Sequence, residues 1–532
     1  MTTLLEKPHQ PLAAPSPKWR WLALAALAIV AAAIIAHVTA NAMGVGVDSV
    51  DYIAGAWTLN NGRGLQLPSG EGSLETITHF PPLTSVFLAA GEWLGIEVVQ
   101  WSRWTSVFFF AASAVLAARI AMRHARTVWP GIIAGVLVIT DVDMLKHHAL
   151  VASEPPFFFL MFLSLWWLIG YLENGRKRLL IGTSVTAALS LLTRYPGVVL
   201  GLLGMLCVLL LAKGNRKRRI WHALLYGAIA FAPGAAWALH NKIVAGTATD
   251  REFAFHLPTR WTLHEGALTV THWFLPEFMR LGHPKRWLAA LFLIVGILLL
   301  LAWRKKPAGA KAGTGLQVPS IVLLTFALLY GMLVAATVLF FDAATPLDGR
   351  ILLPLYFAIT ILAAIWVDRF LSFVPWRSAV FVATISIVAV VIAARIRAAQ
   401  LWVVTDRDAE KMFAIEPWAT SEIFSYLRTQ PANVKIVSNE TSALYFYNGY
   451  LVWEPPDKWN YYTRKINPHY KEDLAEMAAR LQKDGGLIVF FNQKMIPYRT
   501  DLSTLQDLKA AVPTREVFRT PEGVVLEVQA AR

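Results

Sequence analysis

Residues 19–38 read W-R-W-L-A-L-A-A-L-A-I-V-A-A-A-I-I-A-H-V, a run in which nearly every side chain is apolar. As an α-helix, a run of roughly 20 apolar residues spans the hydrocarbon core of a lipid bilayer, which is about 30 Å thick. The pattern therefore predicts a polytopic α-helical membrane protein. Similar runs recur as far as residue 397, and we place eleven spans near 19–39, 104–122, 128–142, 155–172, 179–194, 196–212, 220–239, 287–303, 319–341, 351–367 and 378–397.

The amino-acid composition supports this class. Of the 532 residues, 56% are hydrophobic and 16% are charged, whereas about 25% of the residues in soluble globular domains are charged. The mean hydropathy of the chain is +0.48. The single cysteine, Cys207, lies in an apolar run, which excludes an intramolecular disulfide and a cysteine-rich metal site.

The net charge of +14 suggests a nucleic-acid partner until the basic residues are located. They cluster in every second connection between spans: these connections and the N-terminal tail hold about 20 Lys and Arg, and the short opposite loops about 4. The positive-inside rule therefore places the N-terminus in the cytoplasm, and an odd number of spans places the C-terminus outside. The charge reflects topology, so we expect no nucleic-acid partner.

This topology divides the chain into three parts. Residues 1–18 are proline-rich and are expected to form a disordered cytoplasmic tail. Residues 19–397 form the transmembrane domain, with two outer loops at 41–103 and 240–286. Residues 398–532 alternate strand-like and helix-like patterns, which predicts a small extracytoplasmic α/β domain. The H-V-T-A-N-A stretch at 37–42 resembles a signal-peptide cleavage site, but ten further spans favour an uncleaved first helix.

The first outer loop opens with V-D-S-V-D-Y at residues 47–52. The carboxylate of Asp48 or Asp51 at the membrane surface suits a general base, a metal ligand or a helix N-cap. Further along the loop, T-H-F-P-P precedes a helical pattern of about 14 residues, too short to span the bilayer. We expect that helix to lie in the outer interface; the two prolines either start the helix or fix a loop beside a site.

Other ionisable residues lie at the outer ends of the spans. Each one alone is explained as a solvated residue of the interface, but all belong to the same side of the membrane. Carboxylates, guanidiniums and imidazoles brought together there would bind an anionic ligand next to a general base. The residues are Lys146, His147, His148 and Glu154 between spans 3 and 4, Arg194 and Tyr195 between spans 5 and 6, and Asp348 and Arg350 before span 10.

Several of these motifs resemble those of GT-C glycosyltransferases, in particular the lipid A aminoarabinose transferases and the protein O-mannosyltransferases. The similarity covers roughly residues 20–370 and rests on the order of short motifs. They are D-S-V-D-Y at 48–52, H-F-P-P-L at 79–83, S-E-P at 153–155, T-R-Y at 193–195 and D-G-R-I-L-L-P at 348–354. The resemblance implies a transferase in a prokaryotic plasma membrane that uses a polyprenyl-phosphate-linked sugar as donor and inverts the anomeric carbon. Its acceptor would be a glycan, a lipid or a protein hydroxyl.

The resemblance also implies roles for residues. Asp48 matches the acid proposed as general base, and Glu154 matches a second acidic position. Arg350 and Arg194 would hold the donor phosphate. The remaining candidates for substrate binding are Asp51, Tyr52, His79, His147, His148, Tyr195 and Asp348.

This sequence also departs from the family pattern. Some relatives carry Lys before the two prolines as a phosphate contact, where this chain has Phe80, with His79 as a possible substitute. No W-W-D-Y-G-type motif is present, which argues against transfer of a preassembled glycan to asparagine. Because one acid lies in each of two loops rather than in a dense cluster, we expect no metal cofactor, although a divalent cation remains possible.

Two other functions fit the same features. A carrier or flippase for a polyprenyl-linked sugar or lipid would use a similar cavity without catalysis, although transporters usually show two matching halves, and this chain has none in its sequence. A membrane-anchored binding protein would use the tail as its active part.

Overall fold

A computed structural model describes residues 17–125, 127–248, 255, 257–274, 317–341, 345–372, 374, 378–408, 411–431, 433–459, 465–496 and 499–530. The predicted cytoplasmic tail, except for its last two residues, and the predicted span at 287–303 lie outside these residues. Within the described part, seven helices are long and apolar enough to cross a membrane. The predicted multi-pass helical membrane protein is therefore confirmed.

The described residues are mostly helical up to residue 405. The seven long helices are α1 (Pro17–Val38), α4 (Val98–Ala121), α7 (Glu154–Asn174), α10 (Arg216–Ala245), α12 (Val318–Phe340), α13 (Gly349–Leu371) and α14 (Ala379–Thr405). The shorter helices among them are α2 (Val47–Asn60), α3 (Leu83–Trp93), α5 (Trp129–Ile139), α6 (Val142–His148), α8 (Lys177–Thr193), α9 (Val198–Leu211) and α11 (Arg260–His272).

The long helices pack into one apolar core. Helix α4 lies between α1 and α5, and α8 lies against both α7 and α10. Buried side chains such as Phe110, Phe162 and Phe357 join these helices in a single cluster. Polar caps fix where the helices begin: the Glu97 carboxylate accepts hydrogen bonds from two backbone N–H groups of α4, and Asn215 caps α10.

The first outer loop is folded against the ends of these helices. It contains α2, a hairpin of β1 (Gln66–Pro68) and β2 (Leu74–Thr76), and α3. Helix α3 corresponds to the predicted short helix after Pro82 and is 11 residues long. It lies so close to α2 that a Cβ atom on Gly55 would be 2.7 Å from the Ser85 hydroxyl oxygen, so a larger residue at position 55 would push the two helices apart.

The tail contains a four-stranded sheet with strand order β3-β4-β6-β5. Strands β3 and β4 are parallel, and the other two pairs are antiparallel. One face of the sheet packs against the first outer loop through Phe413 and Phe491, and the other face packs against α17 and α18. The tail elements are α15 (Glu422–Leu427), β3 (Ile436–Ser438), α16 (Thr441–Asn448), α17 (Tyr470–Asp484), β4 (Gly486–Phe491), α18 (Leu505–Ala511), β5 (Arg515–Arg519) and β6 (Gly523–Val528).

Three distant segments meet beside α2 in what we call the three-strand join: residues 44–45, 149–151 and 411–413. Gly44 donates to the Ala149 carbonyl at 2.8 Å and accepts from the Val151 N–H at 2.9 Å. Val45 donates to the Lys411 carbonyl at 3.2 Å and accepts from the Phe413 N–H at 3.0 Å. The join therefore fixes the chain just before α2 and just before α7.

Candidate active site

Asp48 lies in the first turn of α2, at the beginning of the folded outer loop. The helix is capped by Gly46, whose N–H donates to the Ser49 hydroxyl at 2.9 Å. Asp48 is therefore not the capping residue, which removes the main structural explanation for an acid at this position. Its side chain is 42% exposed, so the carboxylate is accessible from the aqueous side.

Glu154 is the first residue of α7, and its side chain is only 2% exposed. It accepts a hydrogen bond from Arg350 Nε at 2.6 Å and also pairs with Arg194 Nη1. Arg194 Nη1 donates in addition to the Ser153 hydroxyl at 2.8 Å. One buried carboxylate thus holds two guanidiniums that come from the ends of two other helices, since Arg194 follows α8 and Arg350 is the second residue of α13.

Arg350 connects the two acids. Its Nη2 donates to Asp48 Oδ2 at 2.8 Å while its Nε is held by Glu154. The guanidinium side chain is 37% exposed, in contrast to the buried Glu154. The order Asp48–Arg350–Glu154–Arg194 forms a continuous chain of ion pairs, which we call the site cluster. Glu154 is buried and holds Arg194 and Arg350 in place. Asp48 and Arg350 are partly exposed and are accessible to a ligand.

Aromatic side chains form one wall of the site cluster. Tyr52 donates to the Ser153 hydroxyl at 3.1 Å, and its ring lies 4.9 Å from that of Phe80. The His79 ring lies 4.8 Å from Phe80 in turn. The Tyr195 hydroxyl donates to the Thr78 carbonyl at 3.2 Å. The segment before the two prolines is therefore tied to the site through both Tyr52 and Tyr195.

Asp51, the second acid of the D-S-V-D-Y motif, interacts electrostatically with Asp48 and Glu75. Burial raises the pKa of its carboxyl well above the usual value, and the neighbouring charges of Asp48 and Glu75 act in the same direction. The charged form of the Asp51 carboxyl is therefore disfavoured relative to that of a solvated carboxyl. Of the two acids in the D-S-V-D-Y motif, Asp48 is the one that pairs with Arg350 of the site cluster.

The two adjacent histidines have separate positions. His147 lies near the site cluster, and burial lowers its pKa to about 4, with Arg350 and Arg194 acting in the same direction against Glu154. Its imidazole is therefore neutral at pH 7 and offers a hydrogen bond rather than a positive charge. Both histidines were expected to bind substrate; His147 interacts electrostatically with Glu154, Arg350 and Arg194 of the cluster, and His148 with Glu154.

His148 packs in the core instead. Its side chain is fully buried, with Nδ1 at 2.8 Å from the Met144 carbonyl oxygen and its ring 4.9 Å from the Phe110 ring. Residues four apart share one helix face, so His148 follows Met144 onto the packed side of α6. This position does not support a role in ligand binding.

Asp348 belongs to a second group of charges, which the sequence did not reveal. Asp348 caps α13 by accepting from the Ile351 N–H at 3.1 Å, and burial raises its pKa. Nearby, Asp141 pairs with Arg395, whose Nη1 also donates to the His272 carbonyl at 3.0 Å. We call Asp141, Asp143, Asp348 and Arg395 the α6 cluster. Arg395 within the apolar pattern of α14 was the available signal, because a charge in a span needs a partner.

Within the part of the chain that the structure describes, no three His, Cys, Asp or Glu side chains are grouped as they would be to hold a metal ion. The acids of the site cluster are instead paired with guanidiniums.

Neither protein-family models nor curated protein sequences match the chain. Solved structures do match. ArnT from Cupriavidus metallidurans, in a structure with undecaprenyl phosphate, aligns over 96% of this chain and 98% of its own, with a TM-score of 0.56 and 12% identity. Arabinofuranosyltransferase AftD from Mycobacteria has a TM-score of 0.57 and 15% identity over 98% of this chain, which spans 40% of AftD.

The oligosaccharyltransferase of Archaeoglobus fulgidus also matches, with a TM-score of 0.51 and 12% identity over 94% of this chain and 73% of its own. All three proteins are GT-C superfamily membrane glycosyltransferases, and this chain has their fold. The resemblance inferred from the short motifs is thereby confirmed for the fold. At these identities the likeness extends to the backbone arrangement, while the chemistry depends on the site cluster.

Proposed function

We propose that this protein is a glycosyltransferase that moves one sugar from a polyprenyl-phosphate donor to a hydroxyl of an extracytoplasmic acceptor. The observation that carries the proposal is the site cluster: an accessible carboxylate, Asp48, beside a half-exposed guanidinium, Arg350. A general base next to an anion-binding group is what inverting transfer from a phosphate leaving group requires. The ArnT structure with undecaprenyl phosphate has the same fold and supports this class of donor.

The reaction assigns one task to each side chain. The Asp48 carboxylate accepts the proton of the acceptor hydroxyl, and that oxygen attacks the anomeric carbon of the donor sugar. The bond from this carbon to the phosphate oxygen breaks, and polyprenyl phosphate leaves with the electron pair. Arg350 stabilises the negative charge on the departing phosphate. Glu154 holds both Arg350 and Arg194 in position.

Arg350 has an additional effect on the base. In the structure its Nη2 is bonded to Asp48, and a donor phosphate would compete for the same N–H group. Binding of the donor would then release the Asp48 carboxylate for the acceptor hydroxyl, which links activation of the base to the presence of donor. Tyr52, His79, His147 and Tyr195 would shape the pocket around the sugar.

The orientation follows from the positions of the Lys and Arg residues. We place the protein in a prokaryotic plasma membrane with eleven spans, the N-terminus in the cytoplasm, and the site cluster and the tail domain outside. The reaction is proposed to need no metal, so it should persist in excess EDTA.

The test is donor turnover by purified protein in detergent or liposomes. A radiolabelled polyprenyl-phosphate sugar should be consumed, with release of polyprenyl phosphate. Asp48→Asn should lower the rate by about 10²–10⁴-fold, the usual contribution of a general base, while donor binding persists. Glu173→Gln is the matched control, because Glu173 pairs with Arg123 at the opposite end of α7. Unchanged turnover in Asp48→Asn would remove the base assignment, and donor movement across liposomes without sugar release would support the carrier function.

A further inference from the structure

A wide cleft lies between the first outer loop and the tail domain, and its lining includes Asp48 of the site cluster. Its volume is about 880 Å³. The hairpin β1–β2 lines one side, α17 and the segment around Trp453 line the other, and Val47 and Asp48 also line the cleft. A molecule bound in this cleft reaches the proposed general base from the aqueous side rather than through the bilayer.

The cleft is acidic although the whole chain is basic. The chain has a net charge of +14, but nine carboxylates and only two guanidiniums line the cleft. Both guanidiniums are already engaged: Arg499 pairs with Glu454 and Asp501, and Arg480 pairs with Glu476 at 2.6 Å. Such a concave surface of one sign concentrates cations and repels anions. A phosphorylated acceptor is therefore disfavoured here.

On the tail side of the cleft, the backbone of the segment around Trp453 already forms hydrogen bonds. Trp453 accepts from the Ser438 N–H and donates to the Ile436 carbonyl, both at 2.9 Å. Next to it, Glu454 donates to the Gly70 carbonyl at 2.7 Å, which joins this segment to the hairpin. An extended peptide that binds by adding a strand needs a free sheet edge, and this segment offers none. The cleft instead presents carboxylates, the hydroxyls of Thr441 and Ser442, and an indole ring.

Carboxylates, hydroxyls and an aromatic ring suit a sugar chain, and the excess of carboxylates suits one that carries positive charge. We propose that the cleft binds the acceptor, and that the acceptor is a glycan containing amino sugars with free ammonium groups. This inference rests on the proposed function for the meaning of acceptor, but binding in the cleft is measurable without turnover.

The test uses two probes with the same sugar backbone and length: a glucosamine oligomer, which carries ammonium groups, and the N-acetylated oligomer, which carries neutral acetamide groups in their place. Purified full-length protein should bind the glucosamine oligomer at least about tenfold more tightly, because several carboxylate–ammonium contacts of modest strength add up. The preference should shrink as salt is raised. Equal binding of the two oligomers would overturn the proposal, and stronger binding of a lysine-rich peptide would assign the cleft to a protein acceptor instead.

A triple variant tests whether the glucosamine oligomer binds in the cleft. Glu75→Gln, Asp457→Asn and Asp473→Asn remove three carboxylates of the cleft, and the preference for the glucosamine oligomer should be lost. The matched control neutralises Glu422, Glu472 and Asp484, which are exposed on the tail outside the cleft. Retained preference in the first variant, with unchanged thermal stability, would place the oligomer elsewhere and overturn the proposal.

Donor release in the absence of any oligomer separates this inference from the proposed function. The cleft triple variant should still release polyprenyl phosphate slowly to water. Asp48→Asn leaves the other eight carboxylates of the cleft in place, so it should keep the preference for the glucosamine oligomer while its release of polyprenyl phosphate falls by about 10²–10⁴-fold. A protein that binds the oligomer but never consumes a donor would contradict the transferase and leave the cleft assignment standing.

Discussion

The site cluster and the α6 cluster are both built from carboxylates and guanidiniums, and they are neighbours along α13, where Asp348 and Arg350 are two residues apart. The Asp48–Arg350 pair of the site cluster is more exposed than the Asp141–Arg395 pair of the α6 cluster, although Glu154 of the site cluster is as buried as Asp141. In the site cluster, 42% of the Asp48 side chain and 37% of the Arg350 side chain are exposed. In the α6 cluster, the corresponding values for Asp141 and Arg395 are 2% and 6%.

This difference separates two uses of the same chemical groups. A solvent-exposed ion pair contributes about 0–1 kcal/mol to stability, so Asp48 and Arg350 are free to exchange partners with a ligand. Removing one partner of a buried pair leaves an uncompensated charge and costs about 3–5 kcal/mol. The α6 cluster therefore stabilises the fold, while the site cluster is expected to act on substrate.

The largest expected effect is on the buried pair. Arg395→Met removes the guanidinium that pairs with the buried Asp141 carboxylate and donates to the His272 carbonyl, so the free energy of unfolding should fall by about 3–5 kcal/mol. Thermal unfolding in detergent measures this loss. Arg397→Met, two residues further along α14 and exposed, is the control. Adding Asp141→Asn to Arg395→Met should recover part of the stability; no loss in the single variant would show that exposure does not distinguish the clusters.

The opposite pattern is expected for Arg350→Ala. Donor turnover should fall by about 10²–10³-fold because a group that stabilises the departing charge is removed. The unfolding temperature should fall less than in Arg395→Met, because Arg194 still pairs with the buried Glu154 carboxylate. Steady-state release of polyprenyl phosphate gives the rate. Arg369→Ala, at the other end of α13, should leave turnover intact. A large loss of stability in Arg350→Ala without loss of turnover per folded molecule would reverse the comparison.

A smaller effect is expected from pH. Burial raises the pKa of Asp143 to about 7, with Asp141 and Asp348 acting in the same direction and Lys146 and Arg395 opposing them. An unfolded Asp titrates near a pKa of about 3.9, so between these values the folded state binds more protons than the unfolded state. Stability from this group is therefore present at low pH and is lost as pH rises through about 7.

Asp143→Asn should remove this dependence. The unfolding temperature of the wild type should fall between pH 5 and pH 8 by more than that of the variant, as measured in parallel scans. The carboxylate lies directly against Gly349, so the amide of similar size fits the same space. Parallel pH curves for the two proteins would show that Asp143 does not titrate in this range.

Much of the site cluster was predictable from the sequence, and much of the α6 cluster was not. Asp48, Glu154, Arg194 and Arg350 are each charged residues at the ends of apolar runs on one side of the membrane, so topology alone brings them to one face. Asp141 and Arg395 are 254 positions apart, and Arg395 lies within a helix whose apolar pattern hides it. Their pairing depends on how α6 and α14 pack, which periodicity does not encode.

Because packing is not encoded in periodicity, the sequence also did not show how the surroundings of His147 and His148 differ, or those of Asp48 and Asp51. Adjacent residues on a helix point about 100° apart, so His147 and His148 face different surroundings, and the sequence does not say which one faces the core. Asp48 and Asp51 are the same type of residue, so the sequence alone does not distinguish their roles. Burial near Glu75, set by the fold of the hairpin, raises the pKa of Asp51 and leaves Asp48 as the accessible carboxylate.

The segments of the three-strand join leave the ribosome at very different times. Residues 44–45 and 149–151 are made early, whereas 411–413 follow α14, the last of the long apolar helices described. Because both backbone groups of Val45 are bonded to residues 411–413, the chain leading into Asp48 reaches its final place only after those helices have been synthesised. A chain arrested before residue 411 would already be inserted in the membrane, but the start of its first outer loop would still lack the hydrogen bonds from Val45 to residues 411–413.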